Sequence, residues 1–158
     1  MRKVIVNSTP IIGLADIGQL DLLRQVYDQI TIPQAVYDEI ITPSVKGQVD
    51  ENNDWIIVEQ IRDTSQKRMY RAKLHAGEVE VMILAQEKNA ELVILDDNAA
   101  KKTAKYLGLN VTGTLGVLLR AKREGHIEAI SPLMDALAKD HFFIDEKVRG
   151  MVLKQAGE

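Results

Sequence analysis

Short runs of apolar, mostly β-branched residues recur along the chain: Val4-Ile5-Val6, Ile30-Thr31-Ile32, residues 55–61 and residues 92–95. Segments with helical spacing separate them. Several of these runs are apolar on both faces of a strand. Such strands need cover on both sides, which predicts a parallel sheet between two layers of helices. A chain of 158 residues suits one domain of this α/β kind.

Local signals divide the chain further. Thr9-Pro10 opens a helix that runs to Gly18, since proline fits a first helical turn. Leu20, Leu22, Leu23 and Val26 predict a second. Pro33 begins a third, with Ala35, Val36, Ile40 and Ile41 at helical spacing, and Pro43 is its stop. Residues 44–54 read as a polar loop, and 62–75 as a basic stretch, helical or mobile. Helices are expected over 76–89 and 99–107, with a short strand at 109–111. Thr112-Gly113-Thr114 leads into a helix closed by Gly125. Ser131-Pro132 and residues 146–155 supply two more, so 131–158 reads as a C-terminal helical extension of a single 1–158 domain.

Composition removes several classes of function. The absence of cysteine excludes disulfides, thiolate metal sites and cysteine nucleophiles. No apolar run approaches the roughly 18 residues of a membrane span. The N-terminus enters a strand at once and lacks a signal-peptide pattern. The expectation is a cytoplasmic protein with no membrane association. Net charge is −3, yet residues 1–61 carry −5 and residues 62–158 carry +2. Basic groups gather at 62–73, at Lys101, Lys102 and Lys105, and at Arg120, Lys122 and Arg123. Such strips suit a nucleic-acid backbone; on charge alone, solvated helix faces explain them as well.

Sites in open parallel sheets lie outside the carboxyl ends of the strands. The first strand here ends at Asn7-Ser8-Thr9 and the fourth at Asp96-Asp97. Glu39 and the pair Glu78/Glu80 stand near helix ends that face the same crevice. Oxygen-only donors suit hard cations such as Mg²⁺ or Mn²⁺. An ion held there activates water and neutralises charge on a phosphoryl group, so phosphodiester hydrolysis is the natural chemistry. Each acid taken singly also has an ordinary explanation. Asp96 or Asp97 suits a helix N-cap, Glu78 complements a helix dipole, and Glu39 fits an exposed helix. Glu78 and Glu80 point roughly 200° apart on a regular helix, so at most one is a direct ligand. Asp96 and Asp97 divide in the same way into one inward and one outward carboxylate. His75, His126 and His141 have no metal-binding spacing. No G-x-G-x-x-G, P-loop or G-x-S-x-G motif is present, which argues against dinucleotide, nucleotide-triphosphate and serine-hydrolase sites.

The order of motifs resembles the PIN domain family. These are Val4-Ile5-Val6-Asn7-Ser8-Thr9-Pro10, then Ile32-Pro33 with Val36 and Glu39, then Gly77-Glu78-Val79-Glu80 with Leu84-Ala85, then Ile94-Leu95-Asp96-Asp97, then Thr112-Gly113-Thr114-Leu115-Gly116. The likeness covers about residues 3–130. It is nearest the prokaryotic branch with asparagine in the first motif and a G-T-L-G helix start. The resemblance implies a three-layer α/β/α sandwich with a central, mainly parallel sheet. It implies a Mg²⁺- or Mn²⁺-dependent ribonuclease, the VapC-type toxin of a toxin–antitoxin pair.

Carried over, the family's acids fall on Asn7, Glu39, Glu80 with Glu78 close by, and Asp96 or Asp97, with Ser8 and Thr114 in support. Arg68, Arg71, Lys73, Lys101 and Lys102 are the expected phosphate contacts. The expected partners are RNA, a cognate antitoxin protein and a second copy in a homodimer. Asn7 stands where the wider family has aspartate, and its amide brings a carbonyl oxygen without charge. The rival expectation is a degenerate PIN-like module that binds RNA or protein without cleavage.

Overall fold

The computed structural model describes residues 3–49, 53–71 and 74–158. Five parallel strands form one sheet in the order β3-β2-β1-β4-β5. They are β1 (Val4–Val6), β2 (Ile30–Pro33), β3 (Ile56–Glu59), β4 (Leu92–Ile94) and β5 (Val111–Thr112). β1 and β2 are buried along their whole length, as the two-sided apolar runs require. The register sets Val6 beside Ile94.

The helices are α1 (Ser8–Asp16), α2 (Asp21–Tyr27), α3 (Gln34–Glu39), α4 (Pro43–Gln48), α5 (Lys67–Arg71), α6 (Ala76–Glu87), α7 (Asn98–Tyr106), α8 (Thr114–Arg123), α9 (Ser131–Lys139) and α10 (Glu146–Gln155). α8 packs on α1 and α2, α9 on α1, and α10 on α8. α6 packs instead on β1, β2 and α3. Right-handed crossovers in this strand order put α6 and α7 on the opposite face from α1, α2 and α8. The result is the three-layer α/β/α sandwich. Ile5, Ile32, Leu84, Ile94 and Leu95 are among its fully buried side chains. Among the described residues, no helix is long and apolar enough to cross a membrane.

Two local expectations change. The stretch after Pro43, expected as loop, begins with helix α4. Proline at a first helical position gives up an N–H that has no partner there anyway. Thr42 Oγ1 accepts from the Val45 N–H at 3.3 Å as the N-cap. The Gln48 side chain then bonds Ala15 O and the Leu20 N–H, fastening α4 to α1. Residues 50–52 of that stretch lie outside the described residues. The last strand also sits later than 109–111: Val93 pairs with Val111 and Ile94 with Thr112.

Candidate active site

The strand order reverses between β1 and β4, since β1 leads left to β2 and β3 while the chain returns to β4 on its other side. Crevices of parallel sheets open at such a point. The Asn7 N–H donates to Ile94 O at 2.9 Å, so the residues after the two strands stand side by side.

Asn7 is the N-cap of α1, with extended backbone. An N-cap amide normally accepts an N–H from two or three residues ahead. Three residues ahead is Pro10, which has no N–H, and the Asn7 side chain makes no capping bond. Asn7 is 4% exposed, and its Oδ1 is buried with no hydrogen-bond partner among the described residues. An unpaired buried carbonyl costs about 1–3 kcal/mol. The motif Asn7-Ser8-Thr9-Pro10 thus leaves one oxygen unsatisfied at the switch point.

Glu39, the last residue of α3, meets this group. Its Oε2 accepts from Ser8 Oγ at 2.6 Å. Its carboxylate lies on the second residue of α6: a Cβ on Gly77 would stand 3.0 Å from Glu39 Cδ and would overlap Oε1. Glycine therefore lets the Glu39 carboxylate rest there, and any Cβ would push it aside. Glu78 follows, 95% withdrawn from solvent, with Oε1 accepting from the His75 N–H at 2.9 Å. Burial pushes the Glu78 carboxyl above its ordinary value, and the neighbouring charges of Asp97 and Glu39 add to the rise. The His75 N–H and the His75 charge pull against it.

The Asp96-Asp97 pair divides. Asp97 is the N-cap of α7, its Oδ2 accepting from the Ala100 N–H at 2.9 Å. Asp96 takes two bonds from the start of α8, from the Thr114 N–H at 2.8 Å and from Thr114 Oγ1 at 2.7 Å. Thr114 is fully buried. Glu80 is engaged elsewhere, with Oε1 accepting from the Ala35 N–H at 3.2 Å and Oε2 lying 3.5 Å from Lys67 Nζ. Glu78 thus lies within electrostatic reach of Asp97 and Glu39, and Glu80 turns toward α3 and α5.

The basic candidates spread out. Lys101 is half-buried on α7, and its Nζ lies with Asp96 Oδ1 within 3.0 Å of the point a Gly113 Cβ would occupy. Lys102 and Arg68 are exposed. Lys73 and the Arg71 side chain lie outside the described residues. Sequence reasoning passed over Gly77, Gly113 and Pro10 as site residues. The first two mark close approach of a carboxylate to a helix start, and the third a donor withheld; of the three, only Gly77 stands next to a candidate acid in the sequence.

Among the described residues, no three His, Cys, Asp or Glu side chains converge tightly enough to hold a bare metal ion. The donor set still fits a hard divalent cation. It is all oxygen, it includes the unsatisfied Asn7 Oδ1, and its carboxylates repel one another at Glu78. Mg²⁺ keeps several of its own waters and needs only one or two direct carboxylates.

Comparison with known proteins agrees with this architecture. The DUF3368 profile, described as a PIN domain, matches residues 3–158, and the chain belongs to that family. The match extends past residue 130, where the sequence motifs end, through α9 and α10. PIN domains are typically nucleases and generally use divalent metal ions. Among solved structures, the chain is similar to a PilT N-terminus domain protein from the hyperthermophilic archaeon Sulfolobus solfataricus. That likeness has 21% identity and a TM-score of 0.47 over 73% of this chain and 90% of that one. The comparison with curated proteins finds no match.

Proposed function

We propose that the protein is a Mg²⁺- or Mn²⁺-dependent endoribonuclease. The observation that carries this reading is the unpartnered Asn7 Oδ1, buried at the switch point, where the next residue, Ser8, bonds Glu39 and the Glu39 and Asp97 charges reach Glu78. These four side chains would hold the ion, directly or through its waters. The ion, when bound, lowers the pKa of a water and neutralises charge on the phosphoryl oxygens.

The chain's own residues do the rest. Ser8 fixes one oxygen of Glu39. The His75 N–H fixes one oxygen of Glu78. Asp96 holds the first turn of α8, and with it Gly113, against the end of β4. Lys101 brings positive charge to the same edge for a phosphate.

The VapC-type resemblance extends the proposal to a cytoplasmic toxin, paired with a cognate antitoxin and acting as a homodimer. The wide spacing of the acids and the neutral Asn7 favour a second reading, a degenerate module that binds RNA without cutting it. Cleavage of end-labelled RNA with Mn²⁺, Mg²⁺ or EDTA separates the two. Metal-dependent cutting that is lost in Glu39→Gln and Asp97→Asn supports the nuclease. No cutting by folded wild type with either ion supports the module.

A further inference from the structure

A groove of about 430 Å³ lies between Asp96 and Lys101, the start of α8, and the segment that leads into α10. One end is polar, formed by Asp96 and Lys101. The other is mainly apolar, formed by Phe143, Ile144 and Val148, with Asp145 among them, its Oδ1 accepting from the Lys147 N–H at 3.2 Å. Gly113 and Gly116 at the start of α8 also line it, with Asp96 Oδ1 and Lys101 Nζ over the first and Thr112 Oγ1 over the second. Phe143 is 87% exposed, although its neighbour Phe142 packs against Gly13 and closes the core. Lys101 makes no ion pair with a described residue.

We propose that this groove is a nucleotide subsite for single-stranded RNA, in which Phe143 stacks a base and Lys101 takes the adjoining phosphate. The inference rests on reading the crevice as a phosphodiester-cleaving centre, and it adds where the flanking nucleotide lies. A nucleotide matches both ends of the groove at once. It has a flat, weakly hydrated face for the ring and an anion for the ammonium. A protein ligand is the poorer match, because interface cores exclude charged groups such as Asp96 and Lys101. Only an unpaired base offers its face to an aromatic side chain; in an A-form helix the faces are stacked on one another. The volume lies within the range of small-ligand pockets.

The test is fluorescence anisotropy of a labelled single-stranded RNA and of a fully paired hairpin, in EDTA, with full-length protein. Replacing Phe143 leaves the core intact, since the ring is outside it, and circular dichroism checks this. Phe143→Ala is expected to weaken single-strand binding about 5- to 150-fold, the span found for base–aromatic stacking. Phe143→Trp is expected to retain it, and hairpin binding is expected not to change. Lys101→Ala is expected to lower the salt dependence by about 0.7 in log–log slope, one phosphate contact.

Equal single-strand binding by wild type and Phe143→Ala overturns the proposal and hands the groove to a protein partner. So does a wild type with no single-strand affinity. The nuclease reading fails separately. Phe143-dependent binding without cleavage in Mn²⁺ or Mg²⁺ keeps the subsite and removes the catalysis. Cleavage that Phe143→Ala leaves untouched does the reverse.

Discussion

Glu39 lies on Gly77 so closely that a Cβ there would displace its carboxylate, at the meeting of the end of α3 and the start of α6. Two helices that are far apart in sequence therefore meet at a carboxylate. Gly77→Ala tests whether that contact serves folding or chemistry. Alanine is a better helix residue by about 1 kcal/mol, and the displaced group is the flexible end of a side chain. The expected outcome is a melting temperature within about 3 °C of wild type, or slightly higher. Glu39 is forced off Ser8, however, and metal-dependent cleavage is expected to fall about 10²-fold, as for other small misplacements of catalytic groups. Cleavage at the wild-type rate by the folded variant would remove Glu39 from the site.

Glu78 makes stability depend on pH in an unusual direction for a carboxylate. Its folded pKa lies above the ordinary 4.5. Between 4.5 and the raised value the folded state binds more protons than the unfolded state. Stability from this group is therefore intact below 4.5 and is lost as pH rises through the folded pKa. Glu78→Gln keeps an acceptor for the His75 N–H and removes the charge. Without metal, the variant is expected to melt above wild type at pH 7–8, with the gap closing below pH 4.5. Each kcal/mol relieved appears as about 2–4 °C in a chain of this size. A gap that does not change with pH would show that Glu78 carries no buried charge at neutral pH.

The same residue shows what the sequence could and could not convey. The apolar runs, the glycine stops and the Ser-Thr-Pro start announced the sheet and most helices, because each is a local signal. The choice between Glu78 and Glu80 was not local. Val79, Val81, Met82, Ile83, Leu84 and Ala85 are all buried, so α6 has no clear polar face from which to read an inward direction. Only the packing of α3 against α6 turns Glu80 to the Ala35 N–H and leaves Glu78 in the crevice. α4 was hidden for a different reason: Pro43 is read equally as the end of one helix and as the start of the next.

Asp96 and Asp97 are adjacent yet are expected to fail differently. Thr114 gives both its N–H and its hydroxyl to Asp96. Thr114→Val leaves a half-buried Asp96 oxygen without its hydroxyl donor, a loss of about 1 kcal/mol. Thermal melts should show this loss whether or not metal is present. Asp97→Asn retains a good N-cap for α7 while removing a charge beside Glu78. It is expected to fold like wild type and to lose metal-dependent cleavage. Equal stability loss in both variants would mean that both residues serve only as helix anchors.

Asn7 is the most direct probe of the ion. Its unpaired oxygen is neutral, so the crevice carries one negative charge fewer than an aspartate there would give it. Asn7→Asp adds that charge at a position only 4% exposed, next to Ser8, which bonds Glu39. Without metal the charge has nothing to balance it, and the variant is expected to melt below wild type. With Mn²⁺ the order should narrow or reverse, because the added carboxylate is a stronger ligand for a hard cation than an amide. A tenfold gain in affinity at saturating ion adds about 1.4 kcal/mol of stabilisation. Asn7→Leu removes the oxygen and its desolvation cost together, so it is expected to melt at or above wild type in EDTA and to gain nothing from Mn²⁺. Melting curves of the three proteins with and without Mn²⁺ read the ion directly, without any cleavage. An Mn²⁺ response that is the same in all three would place the ion, if one binds, away from Asn7.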